Sequence, residues 1–121
     1  MVVIDAANVV GSRPDGWWRD RAGAARRLHE HIVAAVASGR LVTPVVLVLE
    51  GAARPGVPAG EQDGVRVVHA PAEGDDALVE VVAAAPEAVV LVTADRALRV
   101  RAAALGATCV GPTWLLDQLY E

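Results

Sequence analysis

Residues 44–50 read PVVLVLE, with five apolar residues on consecutive positions between Pro44 and Glu50. A strand with one solvated face alternates apolar and polar residues, whereas a strand covered on both faces does not. The run therefore predicts a strand buried on both sides, inside a mostly parallel sheet flanked by helices. Outward from it, VVI (2–4), GVRVVHA (64–70), AVVLVTA (88–94) and ATCV (107–110) read as further strands. Helical patterns lie between them. Residues 19–38 place Ala25, Leu28, Ile32, Ala35 and Val36 on one stripe, with Arg26, Arg27, Glu30 and His31 elsewhere, and Gly39 as the stop. Residues 75–85 and 95–105 form two more helices that begin with acids, where the helix dipole favours negative charge. Gly106 closes the second, and a tail helix starts at Pro112 with Trp114, Leu115 and Leu119 turned inward. Strand–helix alternation of this kind predicts one α/β domain over residues 1–121. Its expected architecture is three-layer α/β/α around about five mostly parallel strands.

Two segments, VGSRPDGWW (10–18) and GAARPGVPAGEQDG (51–64), are rich in Gly and Pro and read as irregular. The second is long for a compact domain, a length typical of a loop near a site. The core must be aliphatic, because the chain has no Phe and aromatics are only 3 %. All 11 basic residues are Arg, and the net charge is −4. The charge is uneven: residues 1–40 carry six Arg against four acids, and residues 41–121 carry five against eleven. Such asymmetry suits a polyanion-facing side next to an acidic site. Cys109 is the lone cysteine, which excludes an internal disulfide, and the apolar GATCVG around it predicts a buried thiol. The start lacks a basic, signal-like region, and no apolar run approaches the roughly 18 residues of a membrane span. The expectation is a soluble, cytoplasmic protein with no membrane partner.

In open parallel sheets, ligands sit at the carboxyl ends of the strands. Asp5 follows VVI, Glu50 follows VVLVL, and Asp95 follows VVLVTA. EGDD (73–76) comes after the strand at 64–70, at a helix start. Four segments thus bring acids to one sheet edge. Each acid also has an ordinary structural use. Asp95 can cap the helix that follows it, Asp75 and Asp76 can serve a helix dipole, and Glu50 can be an exposed loop residue. Taken together, the acids repel one another unless protons or cations neutralise them. An all-oxygen donor set favours Mg²⁺ or Mn²⁺ over zinc, and such ions suit phosphodiester chemistry.

The order of these blocks resembles the PIN-like nuclease superfamily, and more closely its NYN-type domains. VVIDAANVVG (2–11) is similar to their first strand, which opens with an Asp, two residues and an Asn. VVLVLEG (45–51) is similar to their second strand, EGDDALVE (73–80) to their acidic helix start, and VVLVTADRALRVRAAALGATCVGP (89–112) to their last block. Ala6 stands where that pattern often has Gly, and Glu50 where it usually has Asp. The resemblance implies a metal-dependent ribonuclease acting on RNA with Mg²⁺ or Mn²⁺. It implies Asp5, Asp75 and Asp95 as the main metal carboxylates, and Glu50 and Asp76 as secondary ones. Asn8 would orient water, a carboxylate or the substrate, and Thr93 would hydrogen-bond within the acidic pocket. A toxin-type PIN ribonuclease with an antitoxin partner is a variant of this reading. A non-catalytic RNA- or protein-binding module is the alternative, and a haloacid-type phosphatase ranks last because Ala7 stands where its second Asp would be.

RPDGWWRDRAG (13–23) sets Trp17 and Trp18 beside Arg13, Arg19 and Arg21. Base stacking flanked by phosphate contacts uses these residue types, so Arg13, Trp17, Trp18, Arg19 and Arg96 are candidate substrate contacts. The tryptophans can equally pin the loop to the sheet edge, fill a homodimer contact, or offer the 12–18 loop to a protein partner. His29, His31 and His69 are scattered and read as non-catalytic. No P-loop lysine and no GxGxxG opens a helix, which disfavours nucleotide cofactors.

Overall fold

The computed structural model describes residues 1–120, an α/β fold with a six-stranded, mostly parallel sheet and five α-helices. β1 (Val2–Asp5) runs directly into α1 (Ala6–Gly11), and α2 (Arg21–Ala37) leads to β2 (Val45–Leu49). β3 (Gly60–Gln62) and β4 (Val65–His69) follow, then α3 (Gly74–Ala84), β5 (Val90–Val92), α4 (Arg96–Ala104), β6 (Thr108–Val110) and α5 (Pro112–Leu119). The spatial order is β3-β4-β2-β1-β5-β6. Only the β3–β4 pair is antiparallel.

All five residues of β2 are buried, as the unbroken apolar run requires. Alternate residues feed two separate cores. Val45, Leu47 and Leu49 join Ile4, Leu28, Ile32 and Leu115 in one cluster. Val46 and Val48 join Val3, Leu78, Leu91 and Leu98 in the other. Period-2 alternation along a strand covered on both sides has this consequence. The helices meet these clusters through the expected stripes: Ala25, Leu28, Ile32 and Ala35 of α2 are buried, with Val36 half-buried. Gly39 and Gly106, at φ of 79° and 88°, turn the chain just past α2 and α4, in the left-handed region that glycine enters without strain.

Three local readings change. The sheet has six strands, not five, because GEQ (60–62) adds an edge strand that is exposed throughout and pairs antiparallel with β4. Its Glu61 is the kind of charged residue that keeps a free sheet edge from recruiting another chain. The segment 10–18 is not wholly irregular, since α1 extends to Gly11 and a 3₁₀ turn covers Trp17–Arg19. Cys109 is half-buried rather than buried, with its thiol 3.8 Å from the Arg99 carbonyl.

Candidate acidic site at the strand-order reversal

From β1 the chain steps outward to β2 and β4, then crosses back to β5 and β6 on the other side of β1. Strand order therefore reverses between β1 and β5. A crevice opens at such a point, beyond the carboxyl ends of the two strands. Asp5 ends β1 there, and Thr93 follows β5 there; both are buried, at 6 % and 0 % exposure.

A short hydrogen-bond chain joins the two strand ends. The Thr93 hydroxyl donates to Asp5 Oδ2 at 2.9 Å and accepts from the Asp95 amide at 3.1 Å. Asp5 Oδ1 accepts from the Asn8 amide at 3.3 Å, capping α1. Asn8 Oδ1 accepts from the Ala94 amide at 2.8 Å, which leaves its NH₂ as the group that can meet a ligand. Asp95 Oδ1 caps α4 through the Leu98 amide at 2.9 Å, and Arg99 Nε donates to the Thr93 carbonyl at 2.8 Å. Capping is therefore a real duty of both Asp5 and Asp95. It uses one oxygen of each carboxylate and aims each helix start at the crevice.

Glu50 is half-buried just beyond β2, and its Oε2 accepts from the Gly74 amide at 2.8 Å. This bond ties the end of β2 to the first residue of α3, which carries Asp75 and Asp76. A Cβ at position 74 would stand 3.2 Å from Glu50 Oε1, so glycine permits the close approach. Asp75 is half-buried. Asp76 is exposed and pairs with Arg101 at 3.0 Å.

The acids feel one another. Burial lifts the Asp5 carboxyl from its ordinary 3.8 to about 6; bonds from Thr93 and Asn8 oppose the rise, and repulsion from Glu50 and Asp75 adds to it. The Asp75 carboxyl is also raised, by burial first and then by Asp95 and Glu50, with Arg101 opposing. Asp5 thus feels Glu50 and Asp75, and Asp75 feels Asp95 and Glu50. Among the described residues, however, no three His, Cys, Asp or Glu side chains are close enough together to make a ready metal nest. The two findings agree once range is considered: repulsion acts over several ångströms, while coordination needs oxygens within about 2–2.6 Å of one ion.

The aromatic loop splits its two tryptophans. Trp17 is half-buried, its ring 3.8 Å from where a Cβ on Gly11 would lie, with the Arg21 guanidinium 5.0 Å from its centroid. Trp18 is 55 % exposed, meets Trp17 edge-on and carries Arg19 at 5.8 Å. Arg13 lies over the Tyr120 ring at 4.6 Å, on which His31 also packs. Arg96 is exposed at the start of α4. The sequence reading missed three features: the Glu50–Gly74 tie, the support of the 93–95 turn by Arg99, and a cavity of about 270 Å³ bordered by Trp17, Arg21 and Glu50. An Arg one turn into the helix after a strand-end Asp was the available signal for the second.

Among the described residues no helix is long and apolar enough to cross a membrane. No family model matches the chain, and no curated protein or solved structure matches it.

Proposed function

We propose that the chain is a PIN-like, NYN-type ribonuclease that hydrolyses RNA phosphodiester bonds at an Mg²⁺- or Mn²⁺-dependent acidic site, on a three-layer α/β/α fold. The observation that carries this reading is the placement of Asp5, Glu50, Asp75 and Asp95 beyond strand and helix ends at the crevice where strand order reverses, with burial lifting Asp5 to about 6. Carboxyls held in a field that disfavours their charge gain most from a cation, and their oxygens match a hard one. Asp5, Asp75 and Asp95 would hold the ion, with Glu50 secondary; Asp76 serves mainly to bind Arg101. When bound, such an ion activates water and offsets charge developing on a phosphoryl group. The protein's own contribution is placement. Thr93 fixes Asp5 against the 93–95 turn, and the Asn8 amide group faces whatever enters.

The reading is tested by incubating the chain with a mixed RNA pool in Mn²⁺ or in EDTA, beside Asp5→Asn and Asp95→Asn. Cleavage in Mn²⁺ alone is expected. Loss of residues that merely support ligands costs about 10–100-fold, so each ligand variant should lose about 100-fold or more. Cleavage in EDTA, or an Asn variant as active as the parent, contradicts the assignment. A second reading, a non-catalytic module on the same fold, draws support from the spacing of the acids, since no three of them are drawn together for one ion among the described residues. It predicts RNA binding without cleavage.

A further inference from the structure

Beside the acidic crevice lies a cavity of about 270 Å³. Its floor is apolar, from Ala6, Val10, Ala25 and Ala53, and Trp17 forms a wall. Its polar lining comes from two side chains of opposite character, Glu50 and Arg21. Drug-sized pockets begin at roughly 300 Å³, so the space suits one planar ring system better than a longer ligand. The Arg21 guanidinium lies over the Trp17 indole, 5.0 Å from its centroid, and such a stacked pair is a platform for a base.

The carboxylate selects among bases. A carboxylate only accepts hydrogen bonds and a guanidinium only donates them. Guanine offers two adjacent donors, N1–H and N2–H₂, on one edge, and two adjacent acceptors, O6 and N7, on another. Adenine presents one amino group between two acceptors, N1 and N7, and cytosine one amino group beside the acceptor N3. Uracil presents one N–H between two carbonyls. A neutral base also enters a negative field without the repulsion that a phosphate meets there.

We propose that this cavity is a guanine subsite, with the base stacking on the Trp17–Arg21 pair and Glu50 accepting from N1–H and N2–H₂. The proposal rests on the ribonuclease reading and adds to it a base preference next to the scissile bond. It also gives Glu50, the acid least like its NYN counterpart, a role as a specificity-determining residue.

Nucleosides test the subsite without metal or cleavage. Quenching of tryptophan fluorescence is titrated with guanosine, inosine, adenosine, cytidine and uridine in EDTA. A bidentate pair discriminates by about 1–3 kcal/mol, roughly 5- to 150-fold. Guanosine should therefore bind about tenfold or more tighter than adenosine, cytidine or uridine. Inosine, which lacks the N2 amino group, should fall between. Glu50→Gln should erase the guanosine preference; by equilibrium dialysis, which needs no Trp17 reporter, Trp17→Ala should abolish binding and Trp17→Phe should retain it, each variant first shown to melt cooperatively. Equal binding of all five nucleosides, or a guanosine preference that survives Glu50→Gln, overturns the proposal. No quenching by any nucleoside also overturns it. Cleavage of the RNA pool separates the two claims. Cutting without bias towards G refutes the subsite and leaves the ribonuclease, whereas selective guanosine binding without any cutting refutes the ribonuclease and leaves the subsite.

Discussion

Asp5 holds the site's main electrostatic tension. Its carboxyl is lifted to about 6 in the folded chain from an ordinary 3.8. The folded state therefore binds that proton more tightly than the unfolded state. The resulting stabilisation is fully present below about pH 4 and is lost as pH rises through 6. At 1.36 kcal/mol per unit of pKa, the loss comes to about 3 kcal/mol. Urea denaturation between pH 4 and 7.5 should show the parent losing about that much relative to Asp5→Asn, whose amide cannot ionise; parallel pH profiles would contradict it. Thr93 is the second key residue, buried and bonded to both Asp5 and the Asp95 amide. Thr93→Val leaves that amide unpaired and should cost about 1–3 kcal/mol in the same assay. It should also raise the Asp5 pKa further, read by carboxyl NMR, because a donor to the ionised form is gone. Asp76→Asn is the contrasting case. Its pair with Arg101 is largely solvent-exposed, so removal should change stability by less than about 1 kcal/mol.

At the scale of elements, the turn over Gly51–Gly56 packs against α2 so closely that a Cβ on Gly56 would run into the Ala22 carbonyl. Gly56→Ala should therefore cost about 1–3 kcal/mol by overpacking, seen as a lower Tm, although the backbone there is ordinary. Such close approaches explain what sequence reading reached and what it did not. VVLVL and AVVLVTA declared buried strands because their pattern is their burial. GEQ (60–62) carried no such pattern, since all three residues of β3 are exposed at the sheet edge. α1 was hidden because its cap, Asp5, also ends a strand. The acids could be placed at strand ends from the chain alone, but their partners could not. Glu50 meets an amide 24 residues away, and Asn8 meets one 86 residues away, pairings that only the folded register creates. Trp17 and Trp18 are neighbours in sequence with opposite fates, because the 3₁₀ turn points one ring at α1 and leaves the other in solvent.

Across the whole molecule, the reversal of strand order explains why acids from four segments converge. Parallel strands put all their carboxyl ends on one edge, and the crossover from β4 to β5 brings Thr93 and Asp95 beside Asp5 and Asn8. The aliphatic cores on either side of the sheet hold that edge in place, so the field among the carboxylates is built into the fold. A cation at the edge should relieve it. A ligand present at ten times its Kd stabilises the folded chain by about 1.4 kcal/mol, worth roughly 5 °C in a domain of this size. Mn²⁺ titration followed by thermal melting at pH 7.5 measures this directly. The parent should rise by about 5 °C or more at saturation, while Asp5→Asn and Asp95→Asn should each lose most of that rise. A parent Tm that ignores Mn²⁺, or Asn variants that gain as much as the parent, would contradict a cation site built from these carboxylates.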